Sequence, residues 1–282
     1  MKGDSFGKML GGLFRGKTKS PIQQAPDLSQ PVRIPYGAFR FKVEVPKGVE
    51  FQVLGSTDLK TWLPLGTEKA ATENPEYVDS TASRYTFRFY RVVVGEVLSR
   101  QILGYAGLTV PPGFSMIANP FRCANPSVSA LFPNAPDGAM LHKFDNQLFR
   151  LTENLVQEAK WQNPSHTLNP GEGAIYFNPT SDFTVVNLTG EVPHGKLLNP
   201  IPSGFSIRSS MVPQAGRLHV DLGFPVVEGD VIHQYDRDQQ KYLIHTYDPA
   251  RWERDPPVIG VGESFWVGKT SPSNWIQEFA FG

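Results

Sequence analysis

Pro111-x-Gly113-Phe114-Ser115, Asp137-Gly138-x-x-Leu141-His142-x-Phe144-Asp145, Trp161 and Gly171-Glu172 return 91 residues later. The second set is Pro202-x-Gly204-Phe205-Ser206, Glu228-Gly229-x-x-Ile232-His233-x-Tyr235-Asp236, Trp252 and Gly262-Glu263. A repeat at fixed spacing is architecture before it is chemistry, because each unit buries its apolar face against a neighbour. Set without gaps, residues 110–177 match residues 201–268 at 13 of 68 positions, gathered at glycines, aromatics and turns. Each copy has one grammar: a strand with Gly-Phe-Ser, a variable loop, a strand after the Gly138 or Gly229 turn, then the Trp and a Gly-Glu turn. An apolar strand follows (Ala174-Ile175-Tyr176-Phe177 or Phe265-Trp266-Val267). A last strand closes the copy, Phe183 to Val186 or Trp275 to Phe279. Asn-Pro occurs at Asn74, Asn119, Asn125, Asn163, Asn169, Asn178 and Asn199. It favours turn initiation and keeps the residue before proline out of the α region. Residues 103–192 and 193–282 therefore read as two β-repeats of a pseudo-twofold domain. Leu151 to Trp161 has room for one short helix.

Composition agrees with an all-β chain. Its 282 residues include 26 Gly and 25 Pro, a supply suited to many short strands and turns. With 27 basic and 27 acidic side chains there is no global attraction to nucleic acid. No phosphate-cradling loop, zinc knuckle or RNA-binding strand motif is present, and no cofactor is implied. Cys123 is the single cysteine, so no intrachain disulfide forms. No apolar run reaches the roughly 18 residues of a membrane-spanning helix.

Upstream of the repeats, residues 32–100 alternate as strands do, in Ala38 to Val45, Phe51 to Leu54 and Tyr85 to Val94, with Trp62 and Leu65 assigned to a core. A small antiparallel sandwich is expected. Residues 1–31 are a basic, glycine-rich arm followed by a proline linker from Ser20 to Pro31. Phe6, Met9, Leu10, Leu13 and Phe14 fall at helical spacing, but Gly3, Gly7, Gly11, Gly12 and Gly16 oppose a stable helix. The arm reads as a flexible tail, or as a peptide ordered only against a partner chain or membrane surface. Its apolar patch is broken by glycine and gives no recognisable signal peptide.

Ser56 to Leu59, Trp62, Leu65, Tyr77, Asp79 and Arg88 to Val92 together resemble the small fibronectin type III-like modules of exported, multidomain bacterial proteins. Gly104-Tyr105, Leu108 to Asn119 with Pro120, and Leu168 to Gly173 resemble the β-rich module that often follows. The resemblance implies an Ig-like sandwich, then the duplicated module, at an extracellular or cell-surface location. It implies no activity.

Gly-Phe-Ser lacks the glycine two residues after serine that a nucleophile elbow requires, since Ile117 and Arg208 stand there. His142 and His233 are equivalent, yet neither copy has a second histidine at metal-ligand spacing. Glu172 and Glu263 could act as a pair in a hydrolase cleft; the simpler role is accepting backbone N–H bonds at their turns. Asp145-Asn146 and Asp236-Arg237-Asp238 lack the calcium-loop spacing. Trp161 and Trp252 read as core. Trp266 and Trp275, whose counterparts at the same offset are Ile175 and Thr184, are either core or aromatic anchors for a sugar or a protein.

The expected function is a non-enzymatic structural or assembly protein. Its interaction residues would be Phe6, Met9, Leu10, Leu13, Phe14, Trp266 and Trp275, and its partners further copies of the chain. A polysaccharide-binding module and a Glu172/Glu263 hydrolase are the alternatives.

Overall fold

A computed structural model describes residues 24–248, 251–253 and 255–280. The fold is all-β, built of antiparallel sheets with no closed barrel. Asp27–Arg33, Phe39–Glu44 and Glu76–Asp79 form a three-stranded sheet in which Phe39–Glu44 is central. It faces a sheet ordered Thr184–Glu191, Leu103–Val110, Phe87–Val94, Glu50–Ser56, Leu63–Lys69. Period-two alternation sends Phe39, Phe41 and Val43 inward from one layer, and Phe51, Val53, Tyr90, Val92 and Tyr105 from the other. Phe39 stacks on Tyr90 at 4.8 Å between ring centroids. Asp79 is buried beside them; its carboxylate accepts from Arg88 at 2.8 Å and from the Tyr90 hydroxyl at 2.8 Å. Burial and Asp79 together push the Tyr90 phenol far above its ordinary value, so it stays a donor. Leu65 packs against this core, whereas Trp62 packs against the neighbouring one.

Three expectations need correction. The linker read from Ser20 to Pro31 gives way to a strand from Asp27, paired to Phe39–Glu44. Pro31 is tolerated because the strand is an edge, with a register break between Ser29 and Val32 that holds it together with Gln30 (φ 52°). Nor do residues 100–103 separate two bodies: Leu103–Val110 pairs directly with Phe87–Val94, extending the sandwich sheet into the first repeat. Finally, the segment after Leu151 is strand, Arg150–Gln157, paired on both sides. Cross-strand pairing outweighs its mixed local propensity. The α-helix of the described residues lies earlier, at Val128–Leu131, in the variable loop.

The two repeats carry the same ladder. In the first, the order is Lys160–Trp161, Arg150–Gln157, Met140–Asp145, Ala174–Asn178, Gly113–Ile117. In the second it is Arg251–Trp252, Lys241–Asp248, Val231–Asp236, Ser264–Lys269, Gly204–Ser209. Registers coincide at the offset of 91: Met140 opposes Leu155 as Val231 opposes Thr246, and Gly113 opposes Asn178 as Gly204 opposes Lys269. Each ladder is backed by a strand pair, Leu103–Val110 with Thr184–Glu191 and Gly195–Ile201 with Ser273–Phe279. Here the offset changes. Val110 opposes Thr184, but Ile201 opposes Ser273, so the second copy is two residues shorter at the preceding turn. Trp275 opposes Asn199 as Val186 opposes Leu108. Its spatial counterpart is therefore the inward-facing Val186, not Thr184.

Candidate functional site

The repeats meet through a reciprocal contact. The Ala118 N–H donates to the Gly262 carbonyl at 2.8 Å, and the Ser209 N–H donates to the Gly171 carbonyl at 3.1 Å. These are one interaction with the copies exchanged, since Ala118 and Ser209 are equivalent, as are Gly171 and Gly262. Isolated bridges repeat the exchange: Ile117 with Glu263, and Glu172 with Arg208. Gly171 (φ +89°) and Gly262 (φ +76°) have the left-handed backbone that glycine adopts without cost. A Cβ on Gly262 would sit 2.5 Å from Leu108, and one on Gly171 2.8 Å from Asn199, the equivalent of Leu108. The retained glycines mark a close approach between copies as well as a turn.

Side chains follow the same symmetry. Met116, Ile175 and Ile207 form a small buried cluster, with Phe144, Tyr235 and Trp266 packed against it. These six are three equivalent pairs. All project from the ladder faces turned away from the two main cores. Phe144 meets Trp266 edge-on at 4.9 Å. Each ladder also sends the tip of a hairpin onto the other copy's Gly-Phe-Ser strand. The Asn146 amide donates to the Phe205 carbonyl at 2.9 Å, and the Gln240 amide donates to the Phe114 carbonyl at 2.9 Å while accepting from the Phe114 N–H at 2.8 Å.

The polar residues singled out by repetition serve this frame. Ser115 and Ser206 are buried, and neither hydroxyl has a hydrogen-bond partner, so no base is positioned to activate them. His142 and His233 lie against the phenylalanines of their own copies, Phe114 at 6.5 Å and Phe205 at 5.8 Å. Burial holds His233 below its ordinary pKa, favouring the neutral ring. Glu172 accepts from the Asn169 N–H at 2.7 Å and from Lys143 at 3.0 Å; Glu263 accepts from the Gly260 N–H at 2.9 Å. Both carboxylates thus close the turn three residues back, the role expected of a residue after a tight turn. Among the described residues no group of three or more His, Cys, Asp or Glu side chains is placed to hold a metal ion.

Of the proposed anchors, Trp275 is fully buried, and its indole N–H donates to the Leu222 carbonyl at 2.8 Å. The strand alternation that points Val186 inward points Trp275 inward too, which removes it from any surface role. Trp161 is also buried, and Trp252 packs against the core of the second copy. Trp266 is half-buried at the junction, donating to the Tyr242 hydroxyl at 3.3 Å. Phe6, Met9, Leu10, Leu13 and Phe14 lie outside the described residues.

Exchange symmetry does not hold for the groove beside this contact. An open groove of about 420 Å³ lies on the junction, lined by Phe114, His142, Leu151 and Ile175 of the first copy and Tyr235, Gln240 and Tyr242 of the second. The equivalent position has Trp266 for Ile175 and Phe149 for Gln240. There Phe144 contacts both Trp266 and Phe149, the latter at 5.3 Å between ring centroids. Sequence reasoning did not find this groove. Its signal lay in the paired positions where one copy has a ring and the other does not.

Comparison with protein-family models, with curated proteins and with solved structures returned no match. Among the described residues no helix is long and apolar enough to cross a membrane.

Proposed function

We propose that this protein is a non-enzymatic assembly protein that binds neighbouring copies of itself through aromatic and aliphatic side chains presented by the paired repeats. The observation that carries this reading is how the junction divides its residues. The repeated glutamates hold turns, while Phe149 (61% exposed), Leu148 (60%), Ile244 (49%) and Tyr242 (41%) stand out toward solvent. Clustered exposed apolar side chains on a rigid frame are the usual mark of an interaction surface. The arm, with Phe6, Met9, Leu10, Leu13 and Phe14, would add a second contact, and an extracellular or cell-surface setting follows from the fibronectin-like resemblance. The polysaccharide reading loses one of its two stacking residues with the burial of Trp275.

Light scattering of the full chain over a concentration series tests this. An oligomer is expected, and Leu148→Glu combined with Ile244→Glu should shift it toward monomer while the chain stays folded, since both residues are exposed. A strict monomer at high concentration, unaffected by those changes or by removal of residues 2–23, would defeat the proposal.

A further inference from the structure

We infer that the open groove at the junction is a binding site for a small planar aromatic molecule of about indole size. Three observations converge. The groove's volume, about 420 Å³, falls within the range of small-ligand sites. Its exchange-related counterpart contains the kind of group it lacks: Trp266 stands where the open groove has only Ile175, and a phenyl ring, Phe149, stands where it has Gln240. A cavity left by a missing ring, between walls that elsewhere in the same molecule hold one, fits that ring's free analogue.

The third observation fixes the chemical class. The polar groups of the lining are largely engaged within the protein. Gln240 Oε1 accepts from the Phe114 N–H at 2.8 Å and from the Tyr235 hydroxyl at 3.2 Å, while its Nε2 donates to the carbonyls of Phe114 at 2.9 Å and Arg237 at 2.6 Å. The Tyr242 hydroxyl accepts from Trp266 at 3.3 Å, whereas His142 Nδ1 lies 3.9 Å from Glu153, beyond hydrogen-bond range, and is left to meet a ligand donor such as an indole N–H. Sugars and other hydroxyl-rich ligands would leave their own polar groups unpaired here, at a cost in affinity. A flat apolar ring instead meets Phe114, Leu151, Ile175 and Tyr242, where offset and edge contacts favour it.

Indole itself is the probe, titrated into the full chain and followed by amide chemical shifts. Saturable shifts are expected at Leu151, Ile175 and Tyr242, the groove's own positions. Ile175→Trp gives the open groove the side chain of its counterpart and should abolish them. Leu151→Lys, at an exposed position, should weaken binding at least about tenfold without disturbing the fold. The reverse exchange, Trp266→Ile with Phe149→Gln, should open the second groove and add a saturable set around Phe205 and His233. Absence of saturable shifts in the wild type, or binding that survives both Ile175→Trp and Leu151→Lys in the folded protein, would overturn the inference.

Discussion

Trp275→Ala should cost about 3–5 kcal/mol of stability, the range for truncating a buried tryptophan. Trp275 is fully buried in a core with Phe224, Phe265 and Ile201, meeting Phe224 edge-on at 5.1 Å. The change removes this packing, leaves a cavity and strips the Leu222 carbonyl of its indole donor. Trp266→Ala should cost less, because that ring is only half-buried. Urea denaturation of the two variants side by side measures the difference. Equal and small effects would mean that Trp275 is a surface residue after all.

Asp230→Ala should be comparably severe, about 3–5 kcal/mol, because it leaves a buried ammonium without its counter-charge. Asp230 and Lys269 are fully buried and directly paired. Lys269 also donates to the Pro225 carbonyl at 2.8 Å, and the carboxylate accepts from the Thr270 N–H at 3.0 Å and the Val227 N–H at 2.9 Å. The first repeat has Ala139 and Asn178 at the equivalent positions. There the Asn178 amide is satisfied by the carbonyls of Val110 and Asp182. The same ladder can thus be closed without ions. Asp230→Ala with Lys269→Asn should therefore recover most of the loss caused by Asp230→Ala alone. Equilibrium unfolding of the single and double variants reads this coupling directly, and simple additivity would count against it.

Much of the architecture was legible because turn glycines, aromatics and alternation survive in both copies. The offset of 91 predicts both ladders down to their registers. It fails for Trp275, where a turn two residues shorter in the second copy slides that strand along its partner. A shift of two keeps the side chain on the same face, so the loss was in naming its counterpart, Val186, whose burial would have settled the role of Trp275. Arg150–Gln157 looked helical in part because its outward face carries Leu151 and Leu155 as well as Glu153, which blurs the period-two signal. Gly171 and Gly262 were readable as turn residues; their approach to Asn199 and Leu108 was not, because it exists only once the copies meet. The groove was hidden for the same reason. Its walls come from both repeats, and no local pattern links Ile175 to Gln240.

The two repeats form one body through a reciprocal contact. Native-state hydrogen exchange at Ala118 and Ser209 tests it most directly, since each amide donates to the other copy. Both should be protected to the level of the central strand amides of Met140–Asp145 and Val231–Asp236, and Phe144→Ala should weaken both together. Exchange of either amide at the rate of an open turn, or loss of protection at one without the other, would contradict the account.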